Sequence, residues 1–363
     1  MGYVVALFFI LLGLYKKDSP RVTIAMLIYI CILVGFSEGS ADSWVYQQMY
    51  TNCFDPAFAT HEPGYMLLCK IFNKLGFSFV AFRILLGALI AFFDYKAIRY
   101  FTKNVNYVLA LFLIFPFCGT PSGLRNALAG SIVLYAVQFL FKKDKWSLLK
   151  YYLAILLAIL FHYNSVFFLI LPIVKIRKLK FSTLLIAVLG SIPVLVIIAK
   201  TNLPYIVLSW FTSSEKVLNW FQFSFFFGKI YMFTLALSLF AIFLMYYSGK
   251  FLPKHRNADS IAPNDVITMS KIGVLTFLSF SGAIFKSVVF LRYLIGFMPL
   301  YYAVLSETLC KRETDTPEIA KVKLVLRIGL PLFCGFLLWF VYGFWIGGDA
   351  IQNFQKNILF SWQ

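Results

Sequence analysis

Charge is scarce in this chain, and acidic charge is scarcest. Of 363 residues only 13% are charged, with 15 Asp and Glu against 33 Lys and Arg. A soluble domain carries about 25% charged residues, so the composition excludes a water-soluble globular enzyme, and no segment is polar and long enough for a separate soluble domain. Histidine occurs three times, at His61, His162 and His255, too far apart for a zinc motif. None of the six cysteines (Cys31, Cys53, Cys69, Cys118, Cys310, Cys334) falls in a CxxC pair. Most lie in apolar runs, where a thiol behaves as a small hydrophobe, so neither a disulfide framework nor a cysteine metal site is indicated. There is no Asp-x-Asp pair to hold a metal ion, and no cofactor is expected. The first apolar run lacks a basic leader and a small-residue cleavage site, and reads as a retained helix.

What is abundant is apolar and aromatic: 61% and 19% of residues, with a mean hydropathy of +0.82. Apolar runs of roughly 15–25 residues recur from end to end, the length of a spanning helix rather than a barrel strand. The expected fold is an all-α polytopic membrane protein, a single domain over residues 1–363 with about 12 transmembrane helices. The net charge of +18 sits mainly in short loops between apolar runs, as the positive-inside rule requires. Base-reading polar groups interleaved with aromatics are missing, which argues against a nucleic-acid partner; the lipid bilayer is the expected one.

Taken in order, spanning helices are predicted near 3–15, 22–36, 79–100, 107–117, 124–141, 148–161, 166–174, 181–199, 228–247, 272–289, 293–306 and 324–346. The 166–174 run is short and is expected to be tilted or broken. Basic turns at Lys16-Lys17, Arg99 to Lys103, Lys142 to Lys145, Lys175 to Lys180, Lys250 to Lys271 and Lys311 to Lys323 then fall on one, cytoplasmic, side without adjustment. Residues 37–78 and 200–227 become extracytoplasmic segments with short amphipathic interfacial helices. The first is acidic, with Glu38, Asp42, Asp55 and Glu62. Pro63 starts a helix there, too short to span, whose N-terminus presents Glu62 to the external mouth. Asp42, Tyr46 and Tyr50, spaced by four, share one helix face. That pairing of carboxylate and rings suits a sugar, and equally describes interfacial aromatics.

Against this topology stand four cations at outer helix ends: Arg83, Arg125, Lys286 and Arg292. Topology disfavours them there, so something must hold them. Arg125 is the most telling. It follows Thr120-Pro121, an N-cap and first-position pair, and so lies near a helix N-terminus, where partial positive charge and free N–H groups favour anions. A guanidinium adds a fork suited to phosphate. Pairing with acids in helix packing explains some such cases, and a bound anion would explain several at once.

The order of these features resembles the EpsG-like branch of the Wzy-type polysaccharide polymerases, over most of the chain and most tightly over residues 38 to 172. The residues that carry it are Asp42 and Tyr46, Glu62-Pro-Gly, Gly123-Leu-Arg-Asn126, the double-lysine loop, Ile159-Leu-Phe-His-Tyr-Asn-Ser165 and Arg292-Tyr293. Asn126 stands where such proteins commonly carry glutamine.

The resemblance implies a multi-pass enzyme of the bacterial inner membrane with its active site facing the periplasm, in the O-antigen (lipopolysaccharide) or capsule pathway. It would be a metal-independent glycosyltransferase that moves the growing glycan from undecaprenyl pyrophosphate to the non-reducing end of the next lipid-linked repeat unit. A flippase and a chain-length-regulating co-polymerase are the implied protein partners. In that reading Arg125, Arg292, Arg83 and Lys286 hold the pyrophosphate, and Tyr46, Tyr50, Asn126 and Tyr293 contact sugar. Glu62, His162 and Asp42 are the candidate bases, Glu62 foremost. The rival readings are a transporter or flippase of lipid-linked oligosaccharides and a membrane acyltransferase acting on the glycan. Against the first stand the lack of clear repeats and of clear midplane charges, since Asp94, the one acid well inside a helix, sits toward its cytoplasmic end; against the second stands the outer placement of His162.

Overall fold

The computed structural model describes residues 2–37, 42–58, 62–176, 180–201, 203–210, 218, 245, 263–284, 290–309 and 316–345. These residues are helical throughout, with no β-strand among them. In chain order the helices are α1 (Gly2–Tyr15), α2 (Pro20–Phe36), α3 (Ser43–Thr51), α4 (Pro63–Lys74), α5 (Phe79–Phe101), α6 (Val105–Ile114), α7 (Leu124–Phe141) and α8 (Ser147–Phe161). After a 3-10 stretch over Tyr163–Ile170 come α9 (Ile173–Ile176), α10 (Phe181–Lys200), α11 (Leu203–Ser209), α12 (Pro263–Ile284), α13 (Leu291–Ile295), α14 (Met298–Thr308) and α15 (Pro317–Leu337). A π-helical stretch, Leu338–Trp345, continues α15.

The chain forms two compact units. The first takes residues up to Val166 and the helices from Met298 onward; the second takes the described residues between Phe167 and Phe297.

In the first unit α7 packs on α8 and α5, α2 packs on α5, and α1 and α14 pack on α6. Helix α6 is buried on every side from Val105 to Leu113, as befits an apolar helix surrounded by others. By contrast α8 is apolar all round yet buries only one side. Tyr151, Ile155 and Ala158 face the bundle, while Leu149, Leu153, Leu156 and Leu160 are exposed. An exposed leucine row of that length suits lipid, not water.

One end of this unit is tied by polar groups. Asn106 at the head of α6 donates through Nδ2 to the carbonyls of Lys16 (2.5 Å) and Ser19 (3.0 Å). Its Oδ1 accepts from Thr23 Oγ1 at 2.6 Å. The α1–α2 turn, with Lys16 and Lys17, is thereby fastened to the start of α6. Nearby, Thr102 Oγ1 donates to Glu307 Oε2 at 3.0 Å, and Lys142 at the end of α7 lies 5.5 Å from the Tyr100 ring near the end of α5. The basic turns of the first unit therefore share one end.

Among the described residues, two helical stretches are long and apolar enough to cross a membrane, Phe117–Phe141 and Pro317–Val341. The other apolar helices are shorter, and α5, though 23 residues long, carries Arg83, Asp94, Lys96 and Arg99.

Several boundaries differ from expectation. The last helix begins at Pro317 rather than near Leu324, because Thr316 Oγ1 accepts from the Ile319 N–H and Pro317 takes the first position. Lys321 and Lys323 thus lie within a helix. Helix α12 starts at Pro263 for the same proline reason, and the run expected over 293–306 is divided at Gly296 and Phe297 into α13 and α14. The 166–174 run is broken, as expected, into 3-10 turns and a short helix. The helix expected over 228–247 lies outside the described residues.

Candidate functional site

The site is assembled at the end of the first unit opposite its basic turns, from α3, α4, the head of α7 and the end of α8. Helix α4 begins as the sequence predicts, with Glu62 at the cap position and Pro63 first in the helix. The Glu62 side chain does not cap its own helix, which turns it toward its neighbours. Helix α4 ends after twelve residues at Lys74, and Gly76 just beyond its cap turns the chain with a φ of +76°, open to glycine and strained for other residues. Helix α7 is entered through a 3-10 turn, Pro121–Gly123, with Thr120 ahead of it, so Arg125 lies in the first turn. His162 is the residue that closes α8, with extended backbone and its N–H bonded to the Ala158 carbonyl.

These three residues meet. Arg125 Nη1 donates to Glu62 Oε2, and His162 Nδ1 lies 2.8 Å from Glu62 Oε1. Side-chain exposure is 7% for Glu62, 17% for Arg125 and 18% for His162. The carboxylate is thus the buried centre and the two partners reach outward from it. Burial alone would push the Glu62 carboxyl up; the His162 hydrogen bond and the Arg125 charge outweigh it and bring the pKa down to about 2. An ionised carboxylate only accepts, so His162 must carry its proton on Nδ1.

The Arg125 guanidinium also lies over two rings, Tyr46 at 5.6 Å and Tyr65 at 5.8 Å. Those rings are themselves 5.9 Å apart, an arrangement in which the quadrupoles of both faces favour the cation. Arg125 Nε is buried and has no hydrogen-bond partner among the described residues. The guanidinium is therefore held by Glu62, by a hydrogen bond with Tyr46 and by the two ring faces, with Nε left over.

The remaining expected site residues divide. Tyr46 is buried against Arg125, but Tyr50 on the same face donates its hydroxyl to the Phe77 carbonyl at 2.6 Å and stacks on Phe82 at 4.9 Å. Asp42 stands exposed at the head of α3 and forms no ion pair among the described residues. Arg83 is 3% exposed. Its Nε donates to the Val34 carbonyl at 3.0 Å and its Nη1 to Ser43 Oγ at 3.3 Å, which fastens the end of α2 to the start of α3. Asn126 is half-buried beside Arg125 in sequence. Arg292 and Tyr293 belong to the second unit, on α13, where Tyr293 stacks on Phe280 at 4.8 Å and 7°. Lys286 lies outside the described residues.

Sequence reasoning missed Tyr65, reading it only as part of the apolar face of α4. The available signal was its position three residues after Glu62, one helical turn away on the same side. Glu62 and His162 are ligand-type residues side by side, and among the described residues no cluster of three or more His, Cys, Asp or Glu could hold a metal ion.

No curated protein and no solved structure matches the chain. A family model described as the EpsG family matches residues 21–347, nearly the whole length and all of the site. The chain accordingly belongs to the EpsG family, helical membrane proteins of polysaccharide biosynthesis.

Proposed function

We propose that this protein is a polysaccharide polymerase of the Wzy type, acting at the periplasmic face of the bacterial inner membrane. It transfers the growing glycan from undecaprenyl pyrophosphate to the non-reducing end of another lipid-linked repeat unit. The observation that carries the reading is the Arg125–Glu62–His162 cluster, a cation, a carboxylate and an imidazole joined at one end of an apolar bundle.

The reaction breaks the bond between the anomeric carbon and the pyrophosphate oxygen and forms one to an acceptor hydroxyl. The hydroxyl proton needs a base, and the leaving pyrophosphate needs positive charge. Glu62 was the foremost candidate base, but both its oxygens are engaged and its pKa is near 2. A base works best near the operating pH, so Glu62 is the weaker choice. His162 takes that role in our reading. With Nδ1–H directed at Glu62, its Nε2 is the basic nitrogen, and Glu62 fixes the tautomer and stabilises the imidazolium that forms.

Arg125 supplies the charge for the leaving group, in the place a metal ion would otherwise take. Its Nη1 is committed to Glu62, and its unfilled Nε is the donor that a phosphate oxygen would complete. Tyr46 and Tyr65 hold the guanidinium plane in place.

The test is the glycan made by a strain lacking this protein. Single repeat units on carrier or core, with no long chains, are expected. Polymer of normal length retained in the cytoplasm would instead favour a transporter.

A further inference from the structure

Helix α4 packs against α8, and one residue sets how closely. Gly64 lies in the first turn of α4, two residues after Glu62. Leu160 lies in the last turn of α8, two residues before His162. A Cβ placed on Gly64 would stand 2.9 Å from the Leu160 carbonyl oxygen, 2.9 Å from its Cβ and 3.1 Å from its carbonyl carbon. Two of these three atoms are backbone, so no rotamer change relieves the clash; the helices must part. We propose that Gly64 is the positioning residue of the site: its missing side chain lets α4 approach α8 closely enough for Glu62 to hold His162. This rests on the reading of Glu62 and His162 as a working pair.

The magnitudes decide the matter. Ordinary van der Waals contact begins at 3.4 Å, so an alanine needs the backbones to separate by about 0.5 Å. The Glu62–His162 contact is 2.8 Å, and N–H···O bonds end near 3.2 Å (roughly). A retreat of that size, two residues from each partner, stretches the contact to about 3.3 Å, past the ordinary range, and weakens the bond. Arg125 approaches Glu62 on a long side chain from α7, and can follow it. The expected lesion is therefore selective: the Glu62–His162 bond is weakened and the Arg125–Glu62 pair persists. Gly13 and Gly35 are packed as tightly, against Asn106 and Ile84, but neither lies beside Glu62 or His162. At Gly130, on α7, an added Cβ meets nothing within 4 Å.

The experiment uses the purified full-length chain with 15N-labelled histidine. The chain has three histidines, and loss of one resonance in His162→Gln assigns the signal. A hydrogen-bonded Nδ1–H resonance of His162 is expected in the native protein and in Gly130→Ala, its weakening in Gly64→Ala and its loss in Glu62→Ala. In a polymerisation assay Gly64→Ala is expected to lower kcat about 10- to 100-fold with donor KM unchanged, the cost of a sub-ångström misplacement. Unchanged retention of the resonance in folded Gly64→Ala overturns the proposal, as does its absence from the native protein. Failure of Gly64→Ala to accumulate as folded protein also overturns it, because the close approach would then serve the whole bundle and not the pair. A native protein that shows the resonance pattern but makes no polymer overturns the polymerase reading alone.

Discussion

Arg125 is asked to do two things, and substitutions separate them. Its charge neutralises a buried carboxylate, and its fork is proposed to bind phosphate. Lysine keeps the first and loses the second, because a point charge cannot make a planar two-donor contact. Arg125→Lys is therefore expected to accumulate at near-native levels while polymerisation falls about 30- to 1000-fold. Arg125→Ala should lose both, since an uncompensated buried carboxylate costs on the order of 3–5 kcal/mol. Membrane abundance and glycan ladders, measured together, check this; normal ladders from Arg125→Ala end the phosphate assignment. Glu62 allows a pH test. Its pKa falls from an ordinary 4.5 to about 2 on folding. Its contribution to stability is therefore complete above about pH 4.5 and is lost as pH falls toward 2. Melting in detergent between pH 6 and pH 3 should show a drop for the native protein that is smaller in Glu62→Gln. An equal drop in both would show that the carboxylate is not the group responsible.

At the scale of elements, Arg83 makes the contrast with Arg125. Both are arginines near the outer ends of predicted helices, and the family resemblance places both at the pyrophosphate, although the sequence equally allows each a role in helix packing. Arg83 instead donates to a carbonyl at the end of α2 and a hydroxyl at the start of α3. Its removal should loosen a helix junction rather than a substrate. Arg83→Met is expected to cost about 1–3 kcal/mol by leaving the Val34 carbonyl unsatisfied, so that activity declines in step with protein level. Activity lost at full abundance would return Arg83 to the substrate site. This is also where legibility ended. Apolar length and proline-led starts made α1, α2, α4, α7 and α8 readable to within one or two residues. The start of α15 was missed because Lys321 and Lys323 read as a loop, while the cap at Thr316 outweighed them. Glu62, Arg125 and His162 were each noticed as charged or basic groups in an apolar setting. Their meeting was not readable, because 63 and 100 residues of chain separate Glu62 from its partners. The sequence suggested a bound anion to hold Arg125, and the fold answers at least part of that demand with Glu62.

For the first unit as a whole, the decisive feature is that its two ends differ in charge. Asn106 ties Lys16 and Lys17 to the head of α6, and Lys142 meets the end of α5 through Tyr100. Lys143 and Lys145 follow in the turn before α8. Helix α7, 18 residues long, runs from Arg125 to that basic end, a rise of about 27 Å and close to the thickness of a hydrocarbon core. Helix α8 runs back to His162. The triad and the lysine turns therefore stand about one membrane thickness apart, and the positive-inside rule predicts the lysine end on the cytoplasmic side. Two single-cysteine variants test this, at Ser122 beside the triad and at Asp144 in the lysine turn. They are made in a chain whose native cysteines have been replaced. An impermeant thiol reagent added to intact spheroplasts is expected to label position 122 and to leave position 144 untouched until the membrane is opened. Labelling of 144 alone would invert the protein. Lipid-linked glycan presented at the periplasmic face would then meet only the lysine turns, and the Arg125–Glu62–His162 cluster would need a cytoplasmic substrate.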